Sequence, residues 1–355
     1  MSDASPIAGG AVAVGAVTSA VATAAAPPQQ SLRDLALWTL AFIVVGLAVP
    51  RWVGSVLLMT LLAQATISGI LAMAVGTLLR LNGVVSFGHA AFYGLAIYIV
   101  ALSLNRGWMP AELAIAVALA VPTLLALLLG LGIVNIPGIA FSMLTLAVGQ
   151  ALHEFAMKAR EVTGGDDGMS ITLPSQLFGM GIGVFQRPQT MFMICWVILV
   201  LLILALALLT RSRFGRLIEA IRENEERARF IGYRTRLVRA GVLALSGLIA
   251  ALAGVLSALY NAFASPDALH WSLSGSVLIM VIIGGPKLLW GPAFGAIVFF
   301  FFKDIAGNLT EHWPAMIGLT LIAVTLLLPL GIGGALALQI QWLRGRGAAA
   351  KHPSR

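Results

Sequence analysis

The chain has 355 residues, of which 59% are hydrophobic and 10% are charged, and its formal net charge is +8. Soluble domains carry about 25% charged residues to cover their surface, so this composition excludes a soluble globular protein. The positive charge is concentrated between apolar runs, which is typical of a membrane protein and argues against nucleic-acid binding.

Residues 1–30 are rich in alanine, valine, glycine and serine and lack the basic and leucine-rich regions of a signal peptide. We expect a disordered or weakly helical cytoplasmic tail here. Residues 31–340 consist mainly of continuous apolar runs, which predict an all-α integral membrane protein with about ten transmembrane helices, some short or interrupted. The predicted spans are residues 35–50, 55–79, 84–104, 111–131, 138–157, 189–210, 240–263, 271–285, 291–306 and 314–334. Residues 341–355 form a basic cytoplasmic tail.

The basic residues predict an orientation, because cytoplasmic loops of membrane proteins carry an excess of lysine and arginine. With the N-terminus inside, the 158–188 loop lies outside and the 211–239 loop lies inside. Nine arginines in the 211–239 loop agree with this orientation, although three basic residues fall in the outer loop. We therefore expect a multi-pass protein with both termini in the cytoplasm.

Two proline and glycine interruptions break the apolar runs, at Asn135–Gly138 and at Gly284–Pro292. Paired interruptions at membrane depth indicate a translocation path. The alternative interpretation is that both are loops between tightly packed helical hairpins. A stripe of small residues, four apart in the seventh span, predicts close approach of another helix, from this chain or from a partner subunit. Its members are Ser246, Ala250, Gly254 and Ala258.

The segment Arg211–Arg239 is the most polar part of the chain, with nine arginines and four glutamates. Its pattern predicts a helix that Gly232 ends. The apolar residues on one face of this helix are Leu217, Ile221, Ala228 and Ile231. The segment is either a solvated connector held by anionic membrane lipid or a helix that docks in a groove of a cytoplasmic partner through Leu217 and Ile221.

Several motifs in this order resemble the permease subunits of ABC importers for branched-chain amino acids. They are Leu81–Gly94 (LNGVVSFGHAAFYG), Ala140–Ala147, Thr163–Gly168 (TGGDDG), Ser212–Arg216 with Ala220–Glu225, Ser265-Pro266, Ile283–Gly285 and Leu289–Pro292. The chain departs from the family at Pro286–Leu289, where a small-residue turn is usual, and at Asn135 and Pro137, where a basic residue is common.

The resemblance implies a type II-like ABC importer permease in a bacterial plasma membrane. It also implies two ABC ATPase subunits, a sister permease subunit and an external solute-binding protein as partners. Within Ser212–Gly232 it implies a coupling helix that seats on an ATPase subunit. The residues expected to couple to the ATPase are Arg213, Gly215, Leu217, Glu219, Ala220, Ile221, Arg222, Glu225 and Gly232.

A path for zwitterionic amino acids needs small and hydroxyl side chains, because these offer hydrogen bonds without a fixed charge. Ser86, His89 and Tyr93 share one helical face and are predicted to line this path, with Ser142 and Thr145 as weaker additions. A histidine inside a membrane protein is costly without a partner, so a functional role is a reasonable hypothesis. The alternative is a neutral His89 that donates one hydrogen bond to a carbonyl of a neighbouring helix.

In the predicted outer loop, Thr163, Gly164, Gly165 and Asp166 either seat the solute-binding protein or simply form a turn. The sequence contains no phosphate-binding loop, so ATP hydrolysis is expected from partner subunits, and no cofactor is predicted. The single cysteine, Cys195, lies in an apolar run, so no thiolate metal site is expected.

Three functions stay open: an ATP-driven importer, an ion-gradient-driven secondary transporter, and a channel or scaffold. The motif series favours the importer, and no acidic residue falls in the middle of a predicted span, where a proton-coupled carrier usually has one. Its substrate is expected to be a branched-chain or related amino acid, with urea or short amides as the alternative.

Overall fold

Apolar runs in a bilayer must satisfy their backbone groups internally, so they fold as helices. The computed structural model describes residues 32–133, 136, 138–309, 311–328, 331–335 and 339. Within these residues it contains fourteen α-helices. They are α1 (Leu32–Trp52), α2 (Val56–Asn82), α3 (His89–Asn105), α4 (Ala111–Ile133), α5 (Gly138–Lys158), α6 (Arg160–Thr163), α7 (Gly183–Gln186), α8 (Pro188–Arg211), α9 (Arg213–Glu223), α10 (Glu225–Phe230), α11 (Thr235–Asn261), α12 (Trp271–Gly284), α13 (Gly291–Leu309) and α14 (Trp313–Leu327).

The all-α membrane fold predicted from composition is confirmed. Eight helices among the described residues are long and apolar enough to cross a bilayer, and α3 and α12 are shorter apolar helices. Each of these ten helices corresponds to one predicted span. The predicted tails, residues 1–30 and 341–355, and the interrupting residues Asn135 and Pro137 lie outside the described residues.

Four two-residue strands lie between the helices at one end of the bundle. They are β1 (Met169–Ser170), β2 (Gln176–Leu177), β3 (Met180–Gly181) and β4 (Phe263–Ala264). β1 pairs antiparallel with β4, with Met169 opposite Ala264, and β2 pairs antiparallel with β3. We call this end of the bundle the strand end. The opposite end, which carries α9 and α10, is the loop end.

The centre of the bundle is α11, the most buried of the spanning helices, which packs against α2, α3 and α4. Its stripe of small residues faces α3 of the same chain, which answers the question that the sequence left open. A Cβ added at Gly254 would overlap the carbonyl oxygen of Tyr93, so only glycine permits this approach. Ser246, Ala250 and Ala258 on the same stripe are fully buried.

Two parts of the chain repeat the same architecture in opposite directions. α2 and α11 are each 27 residues long, and each is followed by a stretch without α-helix and then a short apolar α-helix. α2 runs toward the loop end and continues through Gly83–Gly88 into α3. α11 runs toward the strand end and continues through residues 262–270 into α12. The two short helices therefore begin inside the bundle and run apart, as in inverted repeats of transporters.

The helix breaks differ from the predicted interruptions. The predicted span 84–104 is helical only from His89, because Gly83 ends α2 in the left-handed conformation at φ 71°. The interruption at Gly284–Pro292 is the turn of a tight α12–α13 hairpin, in which a Cβ at Gly284 would overlap the Gly291 carbonyl. The loop interpretation is therefore confirmed at that position.

Candidate functional site

The stretch Gly83–Gly88 is a non-helical segment buried among helices, where its backbone polar groups need partners. Helix α5 supplies them. The Ser142 hydroxyl donates to the carbonyl oxygen of Val85 at 2.7 Å, and the backbone N–H of Phe87 donates to the Thr145 hydroxyl at 3.3 Å. Two of the predicted path residues thus hold this segment in place. We call Gly83–Gly88 the helix break.

The helix break ends at a compact N-terminus of α3. The N–H of Gly88 donates to the Ser86 hydroxyl at 3.2 Å, and the N–H of Ala90 donates to the Ser274 hydroxyl of α12 at 2.9 Å. A Cβ at Gly88 would lie 2.8 Å from the carbonyl oxygen of Thr145, so a side chain here would push α5 away. The N-terminal ends of the two short helices are therefore joined directly.

His89 is fully buried and connects three helices. Its Nε2 lies 2.6 Å from the hydroxyl of Ser246 in α11, and that hydroxyl donates to the carbonyl oxygen of Ala74 in α2 at 2.7 Å. A carbonyl oxygen only accepts and a hydroxyl has one proton to donate, so we assign the proton to Nε2, which donates to Ser246. Nδ1 then stays an acceptor, for which the described residues supply no donor.

The position of this cluster along the helices is close to mid-depth. Ala74 lies about 12 Å from the end of α2 at the loop end, and Ser246 lies about 16 Å from the start of α11. Both distances are close to half of a hydrocarbon core of about 30 Å. A chain of hydrogen bonds here replaces the solvation that a bilayer interior withholds.

The structure brings together four of the five predicted path residues. Ser86, His89 and Thr145 are buried, and Ser142 is half-buried beside them at the helix break. Tyr93 lies one turn further along α3, with its backbone against Gly254. Ser86, His89 and Thr145 are closed off from solvent in this conformation, and a role of the five residues in a substrate path stays a prediction.

Two further members of the cluster, Ser246 and Ser274, were not predicted as site residues. Ser246 entered the sequence argument only as a small residue of a packing stripe, and Ser274 did not enter it. Both are hydroxyl residues within apolar spans, and this is the signal that could have pointed to them.

At the loop end, the predicted helix of the Arg211–Arg239 segment is two helices. The Ser212 hydroxyl caps α9 by accepting from the N–H of Gly215 at 3.1 Å. Asn224 leaves the helical conformation, with φ −153° and ψ 95°, and its side chain accepts from the N–H of Arg227 at 2.9 Å to cap α10. Gly232 adopts φ 99° after the end of α10, as its predicted role as a helix stop requires.

The predicted docking face of Leu217 and Ile221 is partly covered by this chain, and its docking role stays a prediction. Ile221 and its neighbour Ile218 are 3% and 2% exposed because they pack against the bundle of this same chain, and Leu217 is half-buried. Ile231, which was placed on the same face, is 69% exposed. The periodicity correctly identified an apolar face, but the surface that covers it belongs to the chain itself.

The remaining predicted coupling residues divide between the two faces of α9 and α10. Those with exposed side chains are Arg213, Glu219, Ala220 and Arg222. Gly215 is buried, and a Cβ there would overlap the carbonyl oxygen of Leu209. Phe230, the last residue of α10, is 90% exposed, so the loop end also presents an apolar surface beside its charges.

A polar network attaches α9 and α10 to the bundle. The guanidinium of Arg222 donates to the carbonyl oxygen of Arg80 in α2 at 2.6 Å. The carboxylate of Glu225 lies 2.6 Å from the guanidinium of Arg239 in α11. A cavity of about 160 Å³ separates the two attachments. Its lining residues are Leu81, Asn82, Ile218, Ile221, Arg222, Glu225, Val238 and Arg239.

At the strand end, Thr163–Gly168 forms a tight turn. The Thr163 hydroxyl donates to the backbone carbonyl of Ala156 and accepts from the N–H of Gly165. Gly164 and Gly165 have φ of 80° and 65°, which favour glycine. Of the four predicted docking residues, only Asp166 has an exposed side chain, since Thr163 is buried and its neighbours are glycines.

These features define a multi-pass membrane protein of the transport class, with an inverted pair of helix units and an attached helical loop. A family model described as branched-chain amino acid transport system permease component matches residues 57–328. The chain belongs to this family, which makes it a permease component of an ABC transporter and a transport subunit rather than an enzyme.

Individual relatives agree with the family. The chain is 24% identical to the high-affinity branched-chain amino acid transport system permease protein LivM of Escherichia coli K12 over 318 residues, which cover 83% of this chain and 74% of the relative. It is 28% identical to the autoinducer 2 import system permease protein LsrC of Photorhabdus laumondii over 252 residues, covering 68% and 69% of the two chains. No solved structure matches the chain.

Proposed function

We propose that the chain is the membrane-spanning subunit of an ATP-driven importer that moves branched-chain or related amino acids inward by alternating access. The energy comes from two ABC ATPase subunits that bind the loop end. A sister permease subunit completes the membrane part, and an external solute-binding protein delivers the substrate to the strand end. In this proposal the protein lies in a bacterial inner membrane with both termini in the cytoplasm.

The observation that carries the proposal is the construction of α9 and α10. Their inner face is anchored to the bundle by Ile218 and Ile221, while their outer face carries exposed charged side chains. A solvated connector needs no anchored apolar face, whereas a helix that receives force from a partner needs both an anchor and a free surface. The outer charged residues of α9 include Arg213, Arg216, Glu219 and Glu223.

The substrate assignment rests on the chemistry of the side chains around the helix break. The relatives include a permease for branched-chain amino acids and one for autoinducer 2, so the family does not fix the cargo. The helix break and the side chains around it offer hydroxyls, an imidazole and backbone groups but no charged side chain. Such a lining suits a zwitterion that must pass without being held, and urea or amides remain the alternative within the same family.

Docking of the solute-binding protein at the strand end is also part of the proposal. Asp166 and Asp167 are exposed at the tip of the glycine turn, and β1 connects the following segment to β4, just before α12. A protein bound at this turn would therefore contact the segment that leads into α12, the helix that carries Ser274.

The proposal is tested by purifying the chain from its native membrane in mild detergent and identifying the proteins that accompany it. We expect ATPase subunits to co-purify with the wild type and to be lost with Arg216→Glu, because a reversed charge on the outer face of α9 opposes docking. The matched control is Arg187→Glu, an exposed arginine at the strand end, which should retain the ATPases.

The contrary result is equally specific. If the chain purifies alone and concentrates a solute under an ion gradient in proteoliposomes, the secondary-transporter interpretation replaces the importer. The substitution Ile221→Asp would not discriminate between the two functions, because it places a charge inside this chain's own core.

A further inference from the structure

Glu225 occupies the junction between the loop and the bundle. It is the first residue of α10, immediately after the break at Asn224. One carboxylate oxygen lies 2.6 Å from the guanidinium of Arg239, and the other accepts from the Thr235 hydroxyl at 3.0 Å and faces Arg229 at 3.4 Å. The side chains of Glu225 and Arg239 are 25% and 16% exposed, so water screens this pair less than the other loop charges.

The partner of Glu225 belongs to the central helix. Arg239 lies in the second turn of α11, and its backbone carbonyl accepts from the side-chain amide of Asn82 at the end of α2 at 2.9 Å. The contact thus connects the loop to the two longest helices of the inverted pair. Among the partners of Glu225, Arg229 belongs to α10 itself, so only the contacts to Arg239 and Thr235 join α10 to α11.

A continuous helix leads from this contact to the helix break. α11 has no interruption between Thr235 and Asn261, and Ser246 lies about two turns beyond Arg239. Ser246 contacts His89 and the carbonyl oxygen of Ala74. A displacement of α11 at Arg239 therefore reaches the hydrogen bonds that position the start of α3.

A cavity lies beside the Glu225–Arg239 pair. About 160 Å³ of space lies between the loop and the bundle, so packing there is incomplete. The two polar attachments that line this space reach different helices. Arg222 is tied to the carbonyl oxygen of Arg80 in α2, and Glu225 is tied to α11. A charge-assisted hydrogen bond of 2.6 Å is short and directional, and it resists separation of its partners.

We propose that Glu225 is the positioning residue that transmits movement of α9 and α10 into α11, through its ion pair with Arg239. This inference rests on the proposed function, because it names the contact through which partner ATPases would act on the helix break. Glu225 touches no substrate. It acts through Arg239 and α11, and its exposed neighbour Glu226 takes no part.

The test measures two quantities in one preparation. The permease, its sister subunit and the ATPases are reconstituted in proteoliposomes with the solute-binding protein, and solute uptake and ATP hydrolysis are recorded together. For Glu225→Gln we expect retained ATPase recovery and a fall of about tenfold in solute transported per ATP hydrolysed, the scale of losing one hydrogen bond to a charged group. Glu226→Gln, the matched control, should keep the wild-type ratio.

A charge exchange separates transmission from a general effect on folding. Glu225→Arg combined with Arg239→Glu restores an ion pair in the reverse sense and should recover most of the ratio, while each single reversal loses it. A wild-type ratio in Glu225→Gln would overturn the inference, and so would loss of ATPase recovery in that variant, since the residue would then belong to the docking surface. A wild-type complex without ATP-driven uptake would instead remove the proposed function.

Discussion

At the scale of single residues, the central contact is the hydrogen-bonded chain from His89 through Ser246 to the carbonyl oxygen of Ala74. The sequence allowed two interpretations of His89: a path-lining residue, or a neutral histidine that donates to a carbonyl of a neighbouring helix. In the structure the imidazole contacts the Ser246 hydroxyl rather than a carbonyl, with Ser246 between His89 and the carbonyl oxygen of Ala74, and a path-lining role stays a prediction. The hydrogen bond of His89 to Ser246 also holds the first residue of α3 in place. Both interpretations therefore concern the start of α3.

The first prediction concerns Ser246→Ala. Removing this hydroxyl leaves Nε2 of the buried His89 without its hydrogen-bond partner, and we expect a loss of about 1–3 kcal/mol in stability. The measurement is thermal unfolding of the purified chain in detergent. Thr123→Val is the control, because the Thr123 hydroxyl bonds only to the Leu119 carbonyl of its own helix. Equal unfolding temperatures for Ser246→Ala and the wild type would show that the Ser246 hydroxyl does not stabilise the protein.

At the scale of the elements, the decisive contact is the close approach of α3 and α11. Two helices in a membrane gain nothing from excluding water, so close packing of backbone against backbone must hold them together. Glycine at position 254 allows this, and the buried alanines on either side continue the same surface. The stripe read from the sequence is therefore an internal packing surface rather than a subunit interface.

The second prediction uses two glycines of α11. Gly254→Ala places a methyl group onto the Tyr93 carbonyl and should destabilise the protein by about 1–3 kcal/mol. Gly241→Ala, in the same helix, meets no atom within 4 Å. It should be neutral or stabilising by up to about 1 kcal/mol, because alanine favours the helix. Thermal unfolding of both variants is the measurement, and similar effects from the two would contradict the packing argument.

At the scale of the whole molecule, the inverted pair of helix units gives the bundle its organisation. α2 and α11 cross its full thickness, while α3 and α12 start at its centre and leave toward opposite ends. Movement of one unit against the other would expose the helix break alternately to the two sides of the membrane. The proposed function therefore depends on which end of the bundle faces the cytoplasm.

The third prediction concerns this orientation. Cys195, the native cysteine, is buried and should not react with a membrane-impermeant maleimide. Phe230→Cys at the loop end should be labelled in inverted membrane vesicles and not in intact spheroplasts, and Asp166→Cys at the strand end should show the opposite pattern. Labelling of Phe230→Cys from outside would reverse the orientation and the proposed direction of transport.

The sequence alone determined the membrane class, the ten apolar helices and the identity of the polar loop, because these follow from hydropathy and periodicity within short segments. It also selected Ser86, Ser142 and Thr145, because hydroxyl residues are conspicuous in apolar runs. Only the tertiary structure decided that the apolar face of α9 is covered by this chain, that Ser246 and Ser274 complete the cluster, and that Glu225 reaches Arg239. These contacts join residues far apart in the chain, and local periodicity identifies a face without identifying what covers it.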